Sequence, residues 1–195
     1  MTKEKIKAVA MIHFARFGYE GASIHQIAKE VGIKTPSIYN HFQSKEEMFV
    51  SIYEEVNWKI IEQTKEIIGK IESDSTYDKL YNLLYGMLEF YIQNETLTLF
   101  LKRNMLLPPD MLKEKLNMKF LEAEALMSSV LTAIFTEGME KGIIRPVSVE
   151  TLLATYYCIL DGMFMQIHYY GADETKIRLR HVWETMSQSI FVGYA

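Results

Sequence analysis

The sequence predicts an all-α protein, with a head of three short helices on a body of about six longer ones, about nine in all. Two observations carry this. Apolar residues recur at three- and four-residue spacing through nearly every segment, and no stretch sustains the period-two alternation of a half-buried strand. Helix breakers are scarce, with 4 prolines and 10 glycines among 195 residues, so each can be assigned to a particular helix end.

The first helix is expected over residues 2–17, where Ile6, Ala10, Phe14 and Phe17 form one apolar face and Gly18 ends it. The second begins at Ser23, with Gln26 three residues on as its capping-box partner. Ile24, Ile27, Ala28 and Val31 form its inner stripe, and Gly32 falls just past its end. The third is short: Thr35 is the expected cap, Pro36 suits the first helical position, and Ile38 and Phe42 share a face. The fourth opens at Ser44 with Glu47 as a second capping box and continues through Phe49, Ile52, Val56 and Ile60 to Gly69. At 1.5 Å per residue its roughly 25 residues span almost 40 Å.

The polar segment 72–76 breaks the pattern. A fifth helix is expected over 77–93 and a sixth over 97–106, stopped by Pro108-Pro109. A seventh over 110–141 carries Leu112, Leu116, Phe120, Ala123, Met127, Val130 and Ile134 in steps of three or four, and Gly142 ends it. The eighth starts near Ser148 and reaches His168 or Tyr169. Gly171-Ala172 breaks it, and Asp173 caps a ninth that runs close to the last residue. The expected division is a head of residues 1–45 and a body of residues 46–195, with no linker and with the fourth helix entering both.

Composition narrows the class. Apolar residues make up 49% of the chain and charged residues 24%, enough for a sizeable core under an ordinary polar surface. No apolar run reaches the roughly 18 residues of a membrane span, and the charged start has no secretory apolar region. The one cysteine, Cys158, allows neither an intrachain disulfide nor a Cys-x-x-Cys motif. These features predict a cytoplasmic protein without a membrane partner. The net charge of −4 hides a split. Residues 1–45 hold seven basic and three acidic side chains, a net +4, and the remainder holds 14 basic and 22 acidic, a net −8. A basic head can meet a polyanion locally while an acidic body stays soluble.

Catalytic patterns are missing. There is no nucleophile elbow, glycine-rich phosphate loop or His-Glu-x-x-His, and His13, His25, His41, His168 and His181 contain no pair at metal-ligand helical spacing. No catalytic residue, metal or cofactor is expected.

Three short helices with a tight turn before the third describe a helix-turn-helix unit. The third must then turn small or polar groups outward, and Lys34, Thr35, Ser37, Asn40 and His41 are such groups. The stretch Phe17-Gly18, Ser23, Ile27-Ala28, Val31-Gly32 and Tyr39-x-x-Phe42-x-x-Lys45-Glu46 resembles the signature of the TetR family of transcription regulators. About 45 residues take part, fixing glycine, aromatic, cap and lysine positions together. A looser likeness recurs at Gly142-Ile143-Ile144-Arg145-Pro146-Val147 and at Leu160-Asp161-Gly162.

The resemblance implies that Tyr39 and Lys45 contact the DNA backbone, with His41 and Ser23 as further phosphate candidates. Lys34, Thr35, Pro36, Ser37 and Asn40 are the candidates for base edges: asparagine pairs bidentately with adenine, and proline or a threonine methyl meets a thymine methyl. It also implies a homodimer through the last two helices, which predicts a palindromic operator. Leu152, Tyr156, Ile159 and Met163 on the eighth helix, and Leu179, Trp183, Met186 and Ile190 on the ninth, are the apolar stripes expected there. Family members enclose a small-molecule pocket in the body. The candidates to line one are Asn57, Trp58, Ile61, Tyr81, Tyr85, Leu88, Phe100, Arg103, Met118, Tyr157, Asp161, Phe164, Met165 and His168, an apolar set with a few polar groups. The expected function is repression of a palindromic operator in double-stranded DNA, relieved by a small apolar or amphipathic effector. Activation, or a helical ligand-binding adaptor without DNA binding, is the alternative; Tyr39 and Lys45 speak against the adaptor.

Overall fold

A computed structural model describes residues 3–193. Among the described residues the chain is helical, with no named strand: α1 (Lys3–Gly21), α2 (Ile24–Val31), α3 (Thr35–Tyr39), α4 (Lys45–Lys70), α5 (Thr76–Gln93), α6 (Glu95–Leu106), a 3-10 turn (Asp110–Leu112), α7 (Lys113–Glu140) and α8 (Val149–Ile190). The expected start of the first helix at residue 2 lies outside the described residues.

Among the described residues eight α-helices stand where about nine were expected, because the last two run together as α8. The backbone still breaks at Gly171, whose φ of 76° and ψ of 179° are non-helical. With no loop between the halves, Asp173 sits inside the helix rather than capping it, and the Thr175 hydroxyl donates to the Gly171 carbonyl at 2.6 Å. Gly18 interrupts α1 in the same way, at φ 73° and ψ −179°. The expected seventh helix begins as a 3-10 turn after Pro109 and becomes α-helical only at Lys113.

The caps divide into those that form and those that do not. Gly32, at φ 85°, donates to Ala28 and Lys29 carbonyls, and Ile33 donates to Ala28 at 2.9 Å, so the last carbonyls of α2 are satisfied by a left-handed turn. The Ser44 hydroxyl accepts from the Glu47 amide at 3.0 Å, while the Glu47 carboxylate accepts from the Gln43 amide. Ser148 caps α8 by accepting from Thr151 at 3.2 Å. The box expected at Ser23 and Gln26 is absent: Ser23 is the extended residue before α2, but its side chain makes no capping bond. Nor does Thr35 cap α3. Lys34 holds that place, because its carbonyl accepts from Ser37 at 2.9 Å, and Thr35 is the first helical residue. Pro36 then falls within the first turn, where a missing N–H leaves no bond unmade.

Packing divides the chain into two compact units: Met1–Ile60 with Asn94–Glu122, and Ile61–Gln93 with Ala123–Ala195. The division does not follow the expected boundary after residue 45, because α6 and the start of α7 pack with the head. In the first unit Ile6, Phe14, Ile27, Ile38, Phe42, Phe49 and Phe100 are almost wholly buried. Phe49 is its aromatic centre: Phe14 meets it edge-on at 4.9 Å, Tyr19 edge-on at 5.2 Å, and Phe100 of α6 at 5.4 Å. Such contacts add about 0.5–1.5 kcal/mol each to simple burial. Lys7 of α1 ties to α4 through the Ser51 carbonyl at 3.2 Å and the Glu55 carboxylate at 3.1 Å.

In the second unit α5 packs on α8. The Tyr156 hydroxyl, fully buried, donates to the Leu80 carbonyl at 2.9 Å, and Trp183 sits among Tyr77, Tyr81 and Phe191. Two backbone bonds, Val192 to Ile143 and Arg145 to Ile190, fix the end of α8 beside the turn after α7. This packing corrects the expected dimer stripes. Leu152, Tyr156, Met163, Leu179, Trp183, Met186 and Ile190 are at most 7% exposed within the single chain, so they form its own core. Of the eight, Ile159 alone remains part-exposed.

Candidate nucleic-acid interface

α3 is amphipathic in the way a groove-reading helix requires. Ile38 is wholly buried and Phe42, just beyond the helix, is 1% exposed; together they anchor α3 to the head. The opposite side turns outward: Lys34, Pro36, Tyr39, Asn40 and His41 are exposed, and Thr35 and Ser37 are part-exposed. Tyr39 is 52% exposed, and its hydroxyl has no hydrogen-bond partner among the described residues.

Lys45 stands differently. Its ammonium lies 4.7 Å from the centre of the Tyr19 ring and donates to the Glu20 carbonyl at 3.3 Å. A cation over an aromatic face is attracted by the ring quadrupole, so the lysine is held at the first turn of α4. Burial, then Glu46 and Glu20, push the Tyr19 phenol above its ordinary value. Tyr19 was not singled out from the sequence, where it reads only as a residue after the helix-ending Gly18. Ser23 is part-exposed with its hydroxyl uncommitted to capping, which leaves it available to a ligand. A second residue outside the expected set is His25 on α2, whose Nδ1 lies 3.3 Å from the Thr35 hydroxyl.

The expected ligand-lining residues fall in both units. In the first, Asn57 is buried and donates to the Lys119 carbonyl at 3.1 Å, while Phe100 is spent in the aromatic core. Arg103 lies against the end of α1. A Cβ on Gly18 would stand 2.6 Å from its Nε, and its Nη1 donates to the Arg16 carbonyl at 3.3 Å. Trp58 and Met118 are 59% and 64% exposed. In the second unit Leu88 and Phe164 are buried, Ile61, Tyr81 and Met165 are part-exposed, and Tyr85 and His168 are exposed. Tyr157 shares a 2.7 Å hydrogen bond with Ser128. Tyr91, outside the expected set, meets Phe164 edge-on at 4.7 Å.

Glu124 and Asp161 form an acidic pair in this second unit. Burial, then the Asp161 charge, raises the Glu124 carboxyl, and desolvation of its carboxyl raises Asp161 although the residue as a whole is exposed. Burial, with both carboxylates adding, pushes Tyr157 up to about 12 against the opposing Ser128 bond. A raised carboxyl keeps its proton in the folded chain at a pH where the unfolded chain has lost it. Stability therefore falls as pH climbs from the ordinary carboxylate range through the raised values. Asp161→Asn is expected to raise the melting temperature at pH 7 and to flatten its decline above the ordinary carboxylate range; an unchanged pH profile in calorimetry would contradict the raised carboxyl.

Residues 6–52 match the profile of the family described as "Bacterial regulatory proteins, tetR family". Among curated proteins, the biofilm operon icaADBC HTH-type negative transcriptional regulator IcaR of Staphylococcus aureus is 38% identical over 85 residues, 43% of this chain and 44% of that protein. The chain thus matches somewhat under half the length of that relative. Among solved structures, the transcriptional regulator FadR from Bacillus subtilis in complex with stearoyl-CoA superposes with a TM-score of 0.75 at 20% identity, over 97% of this chain and 100% of that one. A regulator from Saccharomonospora viridis in complex with choline gives 0.75 at 18% identity, over 97% of each chain. Residues 6–52 are thus similar to the head of the tetR family of bacterial regulatory proteins, and the fold of the chain is similar to that of the two solved regulators. No helix among the described residues is long and apolar enough to cross a membrane.

Proposed function

We propose that the protein is a DNA-binding transcriptional repressor that leaves a palindromic operator when a small apolar or amphipathic effector binds its body. The observation that carries the reading is α3: one face is locked into the head by Ile38 and Phe42, and the other offers Lys34, Pro36, Tyr39, Asn40 and His41 to a groove. Tyr39 supplies a free hydroxyl to a phosphate. Lys45, with donors left beyond its bond to Glu20, supplies a held cation. Short neutral groups on α3 give few strong base contacts, so phosphate contacts and DNA shape carry much of the affinity. The match to a negative regulator supports repression, and the two ligand-bound relatives of this fold support an effector.

A pair of heads requires a dimer. Since the expected stripes are buried, the face of α8 left to a partner is the opposite one, where Ala154, Cys158 and Gly162 follow at four-residue spacing with Thr155 beside them, all exposed or part-exposed. Small residues let two helices approach closely. The effector site we place in the second unit, around Tyr157, Asp161, Phe164 and Met165, where aromatic and thioether groups adjoin a few polar ones.

The test is a salt titration of duplex binding followed by fluorescence anisotropy. The logarithm of affinity should fall linearly with that of salt, and Lys45→Ala should lower the slope by about 0.9. Tyr39→Phe should weaken binding roughly tenfold, the loss of one hydrogen bond to a charged group. Slopes identical in Lys45→Ala and the unsubstituted protein would remove Lys45 from the interface.

A further inference from the structure

We propose that His25 is a further specificity-determining residue, oriented by Thr35 to donate its Nε2–H to an acceptor on a purine edge, N7 or O6, in the major groove. The inference rests on the reading of the head as a DNA-binding unit and adds to it a residue of the helix that precedes the recognition helix. His25 is the second residue of α2 and is exposed, and Thr35 is the first residue of α3. Their 3.3 Å contact, from Nδ1 to the hydroxyl, joins the starts of the two helices. Residues at the start of a recognition helix are those that reach base edges, so a ring held on Thr35 stands at the same place.

What the ring offers depends on its tautomer. When the Thr35 hydroxyl donates to Nδ1, the single imidazole proton sits on Nε2, the nitrogen turned away from Thr35. When the ring is protonated, both nitrogens carry hydrogen and the hydroxyl accepts instead. Nε2 is a donor in both of these forms, and in the major groove the purine N7 and guanine O6 are acceptors; the other neutral tautomer, with Nδ1–H donating to the hydroxyl, would make Nε2 an acceptor instead. Thr35 becomes a positioning residue: its hydroxyl is spent on His25, and only its methyl remains for a thymine.

The test is selection of bound duplexes from random DNA by the unsubstituted protein, His25→Ala, His25→Gln and Thr35→Val, each first matched in thermal melting by circular dichroism. The unsubstituted protein should recover an inverted repeat with a preferred purine at one symmetric position of each half-site. His25→Ala should relax that preference roughly tenfold or more, the scale of one base contact. Thr35→Val, which keeps shape and methyl but not the hydroxyl, should relax the same position, and the double variant should go no further. Unchanged preference at every position in the His25 variants overturns the proposal. So does a uniform loss of affinity with all preferences kept, which would place the ring on a phosphate. Failure of the unsubstituted protein to recover any motif would instead remove the DNA-binding reading, and this proposal with it.

Discussion

Phe49→Ala should destabilise the first unit by roughly 3–5 kcal/mol, the range for emptying a buried aromatic site. Phe49 is wholly buried on α4 and touches three other rings, Phe14 and Tyr19 at the end of α1 and Phe100 of α6. None of the three can fill the space without leaving its own neighbours, so the cavity persists and its cost adds to the lost transfer energy. The two tryptophans allow the loss to be located, since Trp58 lies in the first unit and Trp183 in the second. In a Trp183→Phe background, Trp58 fluorescence followed through denaturant unfolding should show an earlier transition for Phe49→Ala. A midpoint unchanged within error would mean that the ring cluster does not hold the head together.

Gly18→Ala is expected to have the next largest effect. At φ 73° and ψ −179°, Gly18 occupies a region that only glycine enters readily. A side chain there costs of order 1–3 kcal/mol in backbone strain. The added carbon would also stand 2.6 Å from Arg103 Nε, displacing the guanidinium that donates to the Arg16 carbonyl. The two contributions separate in a double-mutant cycle. Arg103→Ala removes the clash but not the strain, so Gly18→Ala should still destabilise the Arg103→Ala protein, by less than it does the unsubstituted one. Full rescue in chemical denaturation would assign the whole effect to the clash, and no rescue at all would deny the contact.

The head was legible in the sequence because its constraints are local. Gly18 and Gly32 take the positive φ that ending a helix demands, Ser44 and Glu47 close their cap, and Ile38 and Phe42 are buried where a four-residue step puts them. Local rules erred where a side chain had a distant alternative. Thr35 reads as a cap, but Lys34 takes that place and the Thr35 hydroxyl meets the ring of His25; Arg103 lies against Gly18, a contact its position in α6 does not announce. The body failed for a different reason. An apolar stripe shows that a surface is covered but not by what, and on α8 the cover is α5 of the same chain. Leu152, Tyr156, Leu179 and Trp183 are therefore core, and the outward face carries the unremarkable Ala154, Cys158 and Gly162. The charge split between head and body, invisible in the net −4, was readable only after the head had been delimited.

Two copies of α3 are expected to read one symmetric DNA site. Selection of bound sequences from a random duplex pool by the full chain measures this most directly. The expected result is an inverted repeat whose half-sites are separated by one helical turn or a multiple of it, about 10–10.5 base pairs per turn. A pool without an enriched motif, bound no better than any other polyanion, would contradict it.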